Sequence, residues 1–396
     1  MGRRETGRMG TGRRLRGATI ALILLGALTA CVPEAPATPT PSGTTTTPTP
    51  SPTPTVTDPI AELSLEERVG QLFMVGTSVD GADPVTLAAV ADGGIGGIFL
   101  HGRSSAGAAA TAQLVAAFTD LHDPESPRLW VATDQEGGDV QVLSGEGFEA
   151  MPTALTSAQR DDATLRADAA RWGAQLAAAG IDMNLAPVVD IVTSPETAAD
   201  NKPIGIYNRE YGFDEATVAA KAGAFAQGMR DAGILPTLKH FPGLGRVTGN
   251  TDYAADVLDT TVDAASADVA VYRTLIPQGP AVVMMATAVY ELIDPTAPAA
   301  FSAPVVTGLL RDQLGFDGVV MTDDLSATAQ VERWTPADRA TLAIDAGVDL
   351  LLVSADASVY PEMYAAVRDR AESDPVFREK VDASARRIVE LKSAFP

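Results

Sequence analysis

From residue 60 onward the chain repeats one pattern, a short apolar run followed by a longer Ala-rich stretch with helical character. The runs fall at 71–75, 96–100, 129–133, 183–187, 236–240, 282–286, 318–322 and 349–353. Each is apolar at successive positions, not at alternate ones, so both faces of each strand must be buried, as in a parallel sheet covered by helices. The stretches 162–179, 215–232, 303–314 and 336–346 read as the intervening helices, and 374–394 as a closing one. Eight β-then-α units over ~330 residues predict an α/β fold, a TIM-like (β/α)8 barrel forming a single catalytic domain over 59–396. A doubly wound sheet is the alternative. No GxGxxG opens a helix after the first run and no GxxxxGK(S/T) occurs, so nucleotide binding has no support in the motifs.

The segment before the repeat has a different character. Residues 1–17 carry six arginines against Glu5, and an apolar run over 18–27 follows, far short of the ~20 residues that cross a bilayer. The segment ends Leu28-Thr29-Ala30-Cys31, which resembles the lipobox of bacterial lipoproteins. On that reading 1–30 is a signal peptide and Cys31, the single cysteine, is lipidated. An ordinary signal peptide is the alternative. Residues 31–58 are Pro, Thr and Ser with little that is apolar, and read as an extended spacer between a lipid anchor and the barrel. The expected location is therefore outside the cytoplasm, on the outer face of the cell membrane.

Charge narrows the partners. Lys and Arg number 29 against 51 Asp and Glu, a net charge of -22, and removing 1–30 makes the remainder more acidic still. Nucleic acid is excluded as a partner on this count. One Cys excludes a CxxC or zinc-ribbon site and three His (His101, His122, His240) argue against a multi-histidine metal centre, so acid–base chemistry must lean on carboxylates.

Barrel chemistry sits at the C-terminal ends of the strands. There the sequence places Asp134-Gln135-Glu136-Gly137-Gly138, Asn184 and Asp190, Lys239-His240, and Asp323-Asp324. Asp323 ends a wholly apolar run, where a buried charge is costly without purpose. Asp324 reads as the N-cap of a following helix, and Asp190 as either a turn residue or a site residue.

The string Lys239-His240-Phe241-Pro242-Gly243-Leu244-Gly245 resembles the KHFPGHG signature of glycoside hydrolase family 3, in its single-domain β-N-acetylhexosaminidase branch. DQEGG at 134–138, NLAPVVD at 184–190, REYG at 209–212 and LLRDQLGFDGVVMTDDL at 309–325 are similar to further motifs of that family, in the same order. The resemblance implies a barrel, a carbohydrate substrate with N-acetylglucosamine the first expectation, no cofactor, and a monomer. It implies a retaining mechanism through a covalent glycosyl–enzyme intermediate. Asp323 matches the nucleophile, and a nearby Lys239 is expected to keep it ionised. Asp134, Arg209, Lys239 and His240 match positions that hold sugar hydroxyls.

The chain also departs from the family. The branch takes its acid/base from an Asp–His dyad on the loop after KHFPG, and here Asn250 and Asp252 stand in those places. No His occurs after His240, Leu244 replaces another, and the stretch Ala286-Thr287-Ala288-Val289 lacks the His of the family's TAHV. Asp252 is the expected replacement acid, supported by Asn250, with Asp256 and Glu136 next in line. Two other readings stay open: a catalytically silent sugar-binding lipoprotein, and a lyase or aldolase using Lys239 as a Schiff base.

Overall fold

The computed structural model describes residues 58–395. The stretch expected to be a signal peptide, Cys31 and all but the last residue of the expected 31–58 spacer lie outside the described residues.

All eight apolar runs become strands of one parallel sheet. They are β1 (Phe73–Ser78), β2 (Gly97–His101), β3 (Trp130–Thr133), β4 (Met183–Asn184), β5 (Leu235–Phe241), β6 (Val282–Met285), β7 (Val320–Thr322) and β8 (Leu351–Val353). Neighbours pair in register around the ring, Val75 opposite Ile98, Phe99 opposite Ala132, Lys239 opposite Met284 and Met321 opposite Met284 on its other side. β1 pairs with β8, and a bridge between Met321 and Leu350 closes the ring between β7 and β8. This is the predicted barrel, and a doubly wound sheet is excluded because the first and last strands pair.

The helices follow from local chemistry as well as periodicity. They include α1 (Leu65–Gln71), α2 (Pro84–Gly93), α3 (Ala108–Thr119), α4 (Asp162–Ala178), α5 (Glu215–Asp231), α6 (Ala267–Leu275), α7 (Pro336–Ala346), α8 (Tyr360–Ser373) and α9 (Pro375–Ala394). The side chains of Asp83, Asp161, Asp214, Thr335 and Asp374 accept first-turn N–H groups of α2, α4, α5, α7 and α9. Part of the chain's acidity is thus capping chemistry. The stretch expected as an ordinary helix at 303–314 is a π-helical segment, Pro304–Gln313. The first strand begins two residues later than its apolar run, because Gln71 still belongs to α1 and Leu72 caps it. α4 and α5 pack closely through Gly228, where a Cβ would run into the Arg166 carbonyl oxygen.

The β7–β8 seam has the sparsest ladder, and a buried carboxylate reinforces it. Asp349 is fully buried. Its Oδ2 accepts from the Val320 N–H at 2.8 Å and from Arg311 at 2.6 Å, and its Oδ1 accepts from Ser384 and Arg387, both at 2.9 Å. One side chain therefore ties β7, β8, the π-helical segment and α9. Removing one partner of a buried, hydrogen-bonded charge network typically costs ~3–5 kcal/mol. Asp349→Ala is expected to lower unfolding stability by that amount, measured as a shift of the urea midpoint at unchanged slope.

Candidate active site

The C-terminal ends of the strands open into a cavity of about 480 Å³. Asp134, Arg209, Lys239, His240, Asp252 and Asp323 all line it, so every predicted site residue of the barrel reaches one space.

β3 and β5 supply its charged floor. Lys239 Nζ donates to Asp134 Oδ1 and Glu136 Oε1, each at 2.7 Å. Arg209 makes a fork–fork pair with Glu136, Nε and Nη2 each at 2.7 Å from a carboxylate oxygen, while Nη1 donates to the Pro203 carbonyl at 2.8 Å. Glu136 is buried yet held ionised, down to about 2: burial alone would raise it, but Arg209 and Lys239 outweigh that cost. Burial likewise opposes the charge of Lys239, and Asp134 and Glu136 reverse the effect and raise its pKa. Three corrections follow. Lys239 pairs with Asp134 and Glu136, and its ammonium is not an ion-pair partner of Asp323. Glu136, clamped and ionised, is no reserve acid. A lysine kept protonated by two carboxylates is also unsuited to a Schiff base, which needs the free amine.

Asp190 ends the NLAPVVD run and is buried. Its Oδ2 lies 2.7 Å from His240 Nδ1, and its Oδ1 accepts the N–H groups of His240 at 3.2 Å and Leu244 at 2.7 Å. It is a site-building residue and not a mere turn residue. With Nδ1 engaged, the other ring nitrogen of His240 is left for the cavity. Gly245 lets this loop pass the strand-four connection, since a Cβ there would meet the Ile191 carbonyl oxygen.

The two carboxylates after β7 divide their tasks. Asp324 does not cap a helix; a 3-10 turn over Ala329–Val331 starts after Thr328, and the next α-helix, α7, is capped by Thr335. Its side chain instead accepts from Ser326 N at 2.9 Å, Ala327 N at 3.1 Å and, across the seam, Ser354 N after β8 at 2.8 Å. The Asp323 carboxylate has one hydrogen bond among the described residues, Oδ1 accepting the Asp324 N–H at 2.8 Å.

Asp252 stands on the loop after β5, at the mouth of the cavity. The residue keeps a solvent-exposed surface, and its carboxyl faces the cavity beside Asp323; partial desolvation there and the like charge of Asp323 push its pKa up to about 6, against the opposing pull of Arg209 and His240. Asn250 supports the loop backbone and not the carboxyl, since its side-chain oxygen accepts the Asp252 N–H at 2.9 Å. The same loop is stitched to the one after β7: Gln330 N donates to the Thr251 carbonyl at 3.1 Å, and the buried Gln330 side chain binds both N–H and C=O of Val257. Asp256, exposed and with φ 60°, is not among the cavity-lining residues.

Sequence reasoning underrated Glu136, Asp190 and Gln330. The first two had a signal, a carboxylate inside or ending an apolar strand-end run. Gln330 had none, because its role arises only when two loops distant in sequence meet.

The comparisons with known proteins agree with this geometry. The profile of the glycosyl hydrolase family 3 N-terminal domain matches residues 64–391, and the chain belongs to that family. The β-hexosaminidase LpqI of Mycobacterium tuberculosis is 34% identical over 352 residues, covering 85% of this chain and 84% of the relative. Among solved structures, a β-N-acetylhexosaminidase from Beutenbergia cavernae DSM 12333 is 56% identical with a TM-score of 0.83, over 84% of this chain and 99% of that one. M. tuberculosis LpqI matches with a TM-score of 0.73 at 30% identity, over 85% of this chain and 96% of that one.

Beside Arg209 lies Glu210, fully buried, with neither carboxylate oxygen bonded to any protein group. Burial raises its pKa from 4.5 to about 7. The folded state therefore holds a proton that the unfolded chain releases above about pH 4.5, so this residue makes stability fall as pH rises from there to about 7 and level off above. Glu210→Gln is expected to show no such fall. Its gain in Tm over the parent should be near zero at pH 4.5 and reach roughly 5 °C at pH 8, read by calorimetry.

Proposed function

We propose that this protein is a retaining β-N-acetylhexosaminidase that removes terminal β-linked N-acetylglucosamine and works as a monomer. The observation that carries the reading is the pairing of two carboxylates on one cavity, Asp323 with a nearly bare carboxylate and Asp252 with its pKa pushed up to about 6. A glycosidase needs such an ionised–protonated pair. Family membership and the β-hexosaminidase relatives support the substrate class.

In the first step an Asp323 oxygen attacks the anomeric carbon, the bond to the glycosidic oxygen breaks, and Asp252 passes its proton to that oxygen. In the second, Asp252 takes a proton from water as the water attacks the same carbon and frees Asp323. Two inversions retain the β configuration. Asp134, Arg209, Lys239 and the free nitrogen of His240 hold the sugar hydroxyls. Glu136 and Asp190 stand behind Arg209, Lys239 and His240 and fix their directions. The silent-binder alternative requires that no acid face Asp323. A carboxylic acid raised by desolvation and by the like charge of Asp323 argues for turnover.

Asp323→Asn is expected to abolish turnover of every β-glycoside. Asp252→Ala should lose ~100- to 10,000-fold on substrates with basic leaving groups and far less on activated aryl glycosides. Azide should partly restore the aryl reaction and yield a β-glycosyl azide. In the parent, kcat/KM should fall as pH rises through about 6, because Asp252 then loses the proton it must donate, and that limb should vanish in Asp252→Ala. Equal loss on both substrate types would remove Asp252 from the acid role.

For location we propose a lipid anchor at Cys31 that holds the catalytic barrel outside the membrane on the 31–58 spacer. The lipobox-like Leu28-Thr29-Ala30-Cys31 supports it. Cys31→Ser should move the protein from the membrane fraction to the soluble fraction in cells that process lipoproteins; retention in the membrane fraction would refute the anchor.

A further inference from the structure

Tyr253 directly follows the candidate acid, lines the cavity, and leaves 82% of its surface exposed. An exposed tyrosine needs no occupant by itself, but this one lines a polar cavity directly beside the candidate acid, where a ligand held in the cavity would meet it. The backbone beneath it is fixed. Tyr253 N and Ala254 N donate to the Asn250 carbonyl at 3.1 and 2.9 Å, and the Asp252 carbonyl accepts from Ala329 N at 3.3 Å. The ring is thus presented on an anchored turn, with little loop ordering left to be done on binding.

We propose that Tyr253 is the platform of a leaving-group subsite, which takes a second hexopyranose ring by stacking the ring's C–H face on the phenol. The inference rests on the functional reading above, for it takes Asp252 as the group that protonates the glycosidic oxygen. That oxygen is bonded to the departing sugar. Tyr253, exposed and next to Asp252 at the cavity mouth, is on this reading placed toward the departing sugar, while Asp134, Arg209, Lys239 and His240 hold the retained one. A tyrosine suits a sugar because its flat apolar face matches the axial C–H groups and only two torsions are frozen. Arg103 lines the same cavity, its guanidinium held by the carbonyls of Gly102 at 2.8 Å and Asp139 at 2.7 Å, and it has no carboxylate within ion-pair distance among the described residues. It offers fixed donors to ring oxygens and hydroxyls, the polar complement of a stacking face.

The test uses the full chain carrying Asp323→Asn, so that a bound disaccharide stays intact. Dissociation constants are measured by calorimetry for N-acetylglucosamine and for its β-1,4-linked disaccharide, with Tyr253 intact, Tyr253→Ala and Tyr253→Phe. The disaccharide should bind more tightly than the monosaccharide. Tyr253→Ala should erase ~3- to 10-fold of that preference while leaving the monosaccharide constant unchanged, and Tyr253→Phe should keep the preference. An undiminished disaccharide preference in Tyr253→Ala, no preference in the parent, or an equal loss for both sugars would overturn the subsite while leaving the functional reading in place. No binding of either sugar would overturn both.

Discussion

The closure of the barrel between β7 and β8 is the constraint on which the site depends. A parallel ring can bring four strand ends to one mouth only if every neighbouring pair meets; β1 pairs with β8 over three residues, whereas the β7–β8 joint has a single bridge. Carboxylates reinforce it at both ends. Asp349 binds the Val320 N–H and two arginines at the bottom, and Asp324 reaches Ser354 N across the top. Between these two fastenings lies Asp323. Because Asp324 takes up the turn's N–H groups, its neighbour keeps a carboxylate engaged by a single backbone donor. In this doublet of aspartates Asp324 is the structural group, and on the proposed reading it leaves Asp323 free to react.

The opposite wall works by charge balance. Asp134 and Glu136 carry two negative charges, Lys239 and Arg209 two positive ones, and nearly every contact among them is a short charge-assisted bond. Buried ions are tolerable when fully paired and costly when one partner is lost. The cluster therefore presents a stiff, nearly neutral row of donors and acceptors, the surface a neutral polyol needs. It also leaves no strong cation committed to Asp323, whose negative charge then acts on Asp252. The environments push the two sides apart: Glu136 down to about 2, Asp252 up to about 6. Carboxylates separated in this way divide their tasks within one cavity, Glu136 as the fixed ionised partner of Arg209 and Lys239 and Asp252 as the group able to carry a proton.

The sequence carried the barrel because its signal is repeated eight times and each repeat is short, apolar and bounded. Boundaries slipped where two elements share apolar residues, as at Gln71 and Leu72, which read as strand and fold as the end of α1. The strand-end residues were legible for the same reason as the strands, since a charge at the end of an apolar run stands out. What was not legible is who pairs with whom. Lys239 pairs with carboxylates on β3 and not with the one on β7, and Asp324 binds a loop thirty residues on and not a helix beginning beside it. Both errors came from favouring partners near in sequence or in role over partners set by the circular order of strands. Gln330 and Glu210 lie at the limit of such reading. One acts through a contact between distant loops, and the other is notable for having no partner at all.

The replacement of the family's dyad has a physical logic in this setting. A histidine acid needs a second residue to hold its ring and tune its pKa, whereas a carboxylic acid needs only a nearby negative charge and partial removal from water. Asp323 supplies that charge, so on the proposed reading the nucleophile tunes its own acid. The tuning is also timed. When Asp323 becomes esterified its charge disappears, the pKa of Asp252 falls, and the carboxylate left after proton donation is stabilised as a base for the incoming water. Such coupling works only if the two groups keep a fixed separation, and the loop contacts satisfy that condition. Gln330 and Ala329, on the connection that carries Asp323, hold the backbone of Thr251, Asp252 and Val257. An acid on a free loop would lose both its raised pKa and its aim whenever it swung out; stitched to the nucleophile's own loop, it keeps both.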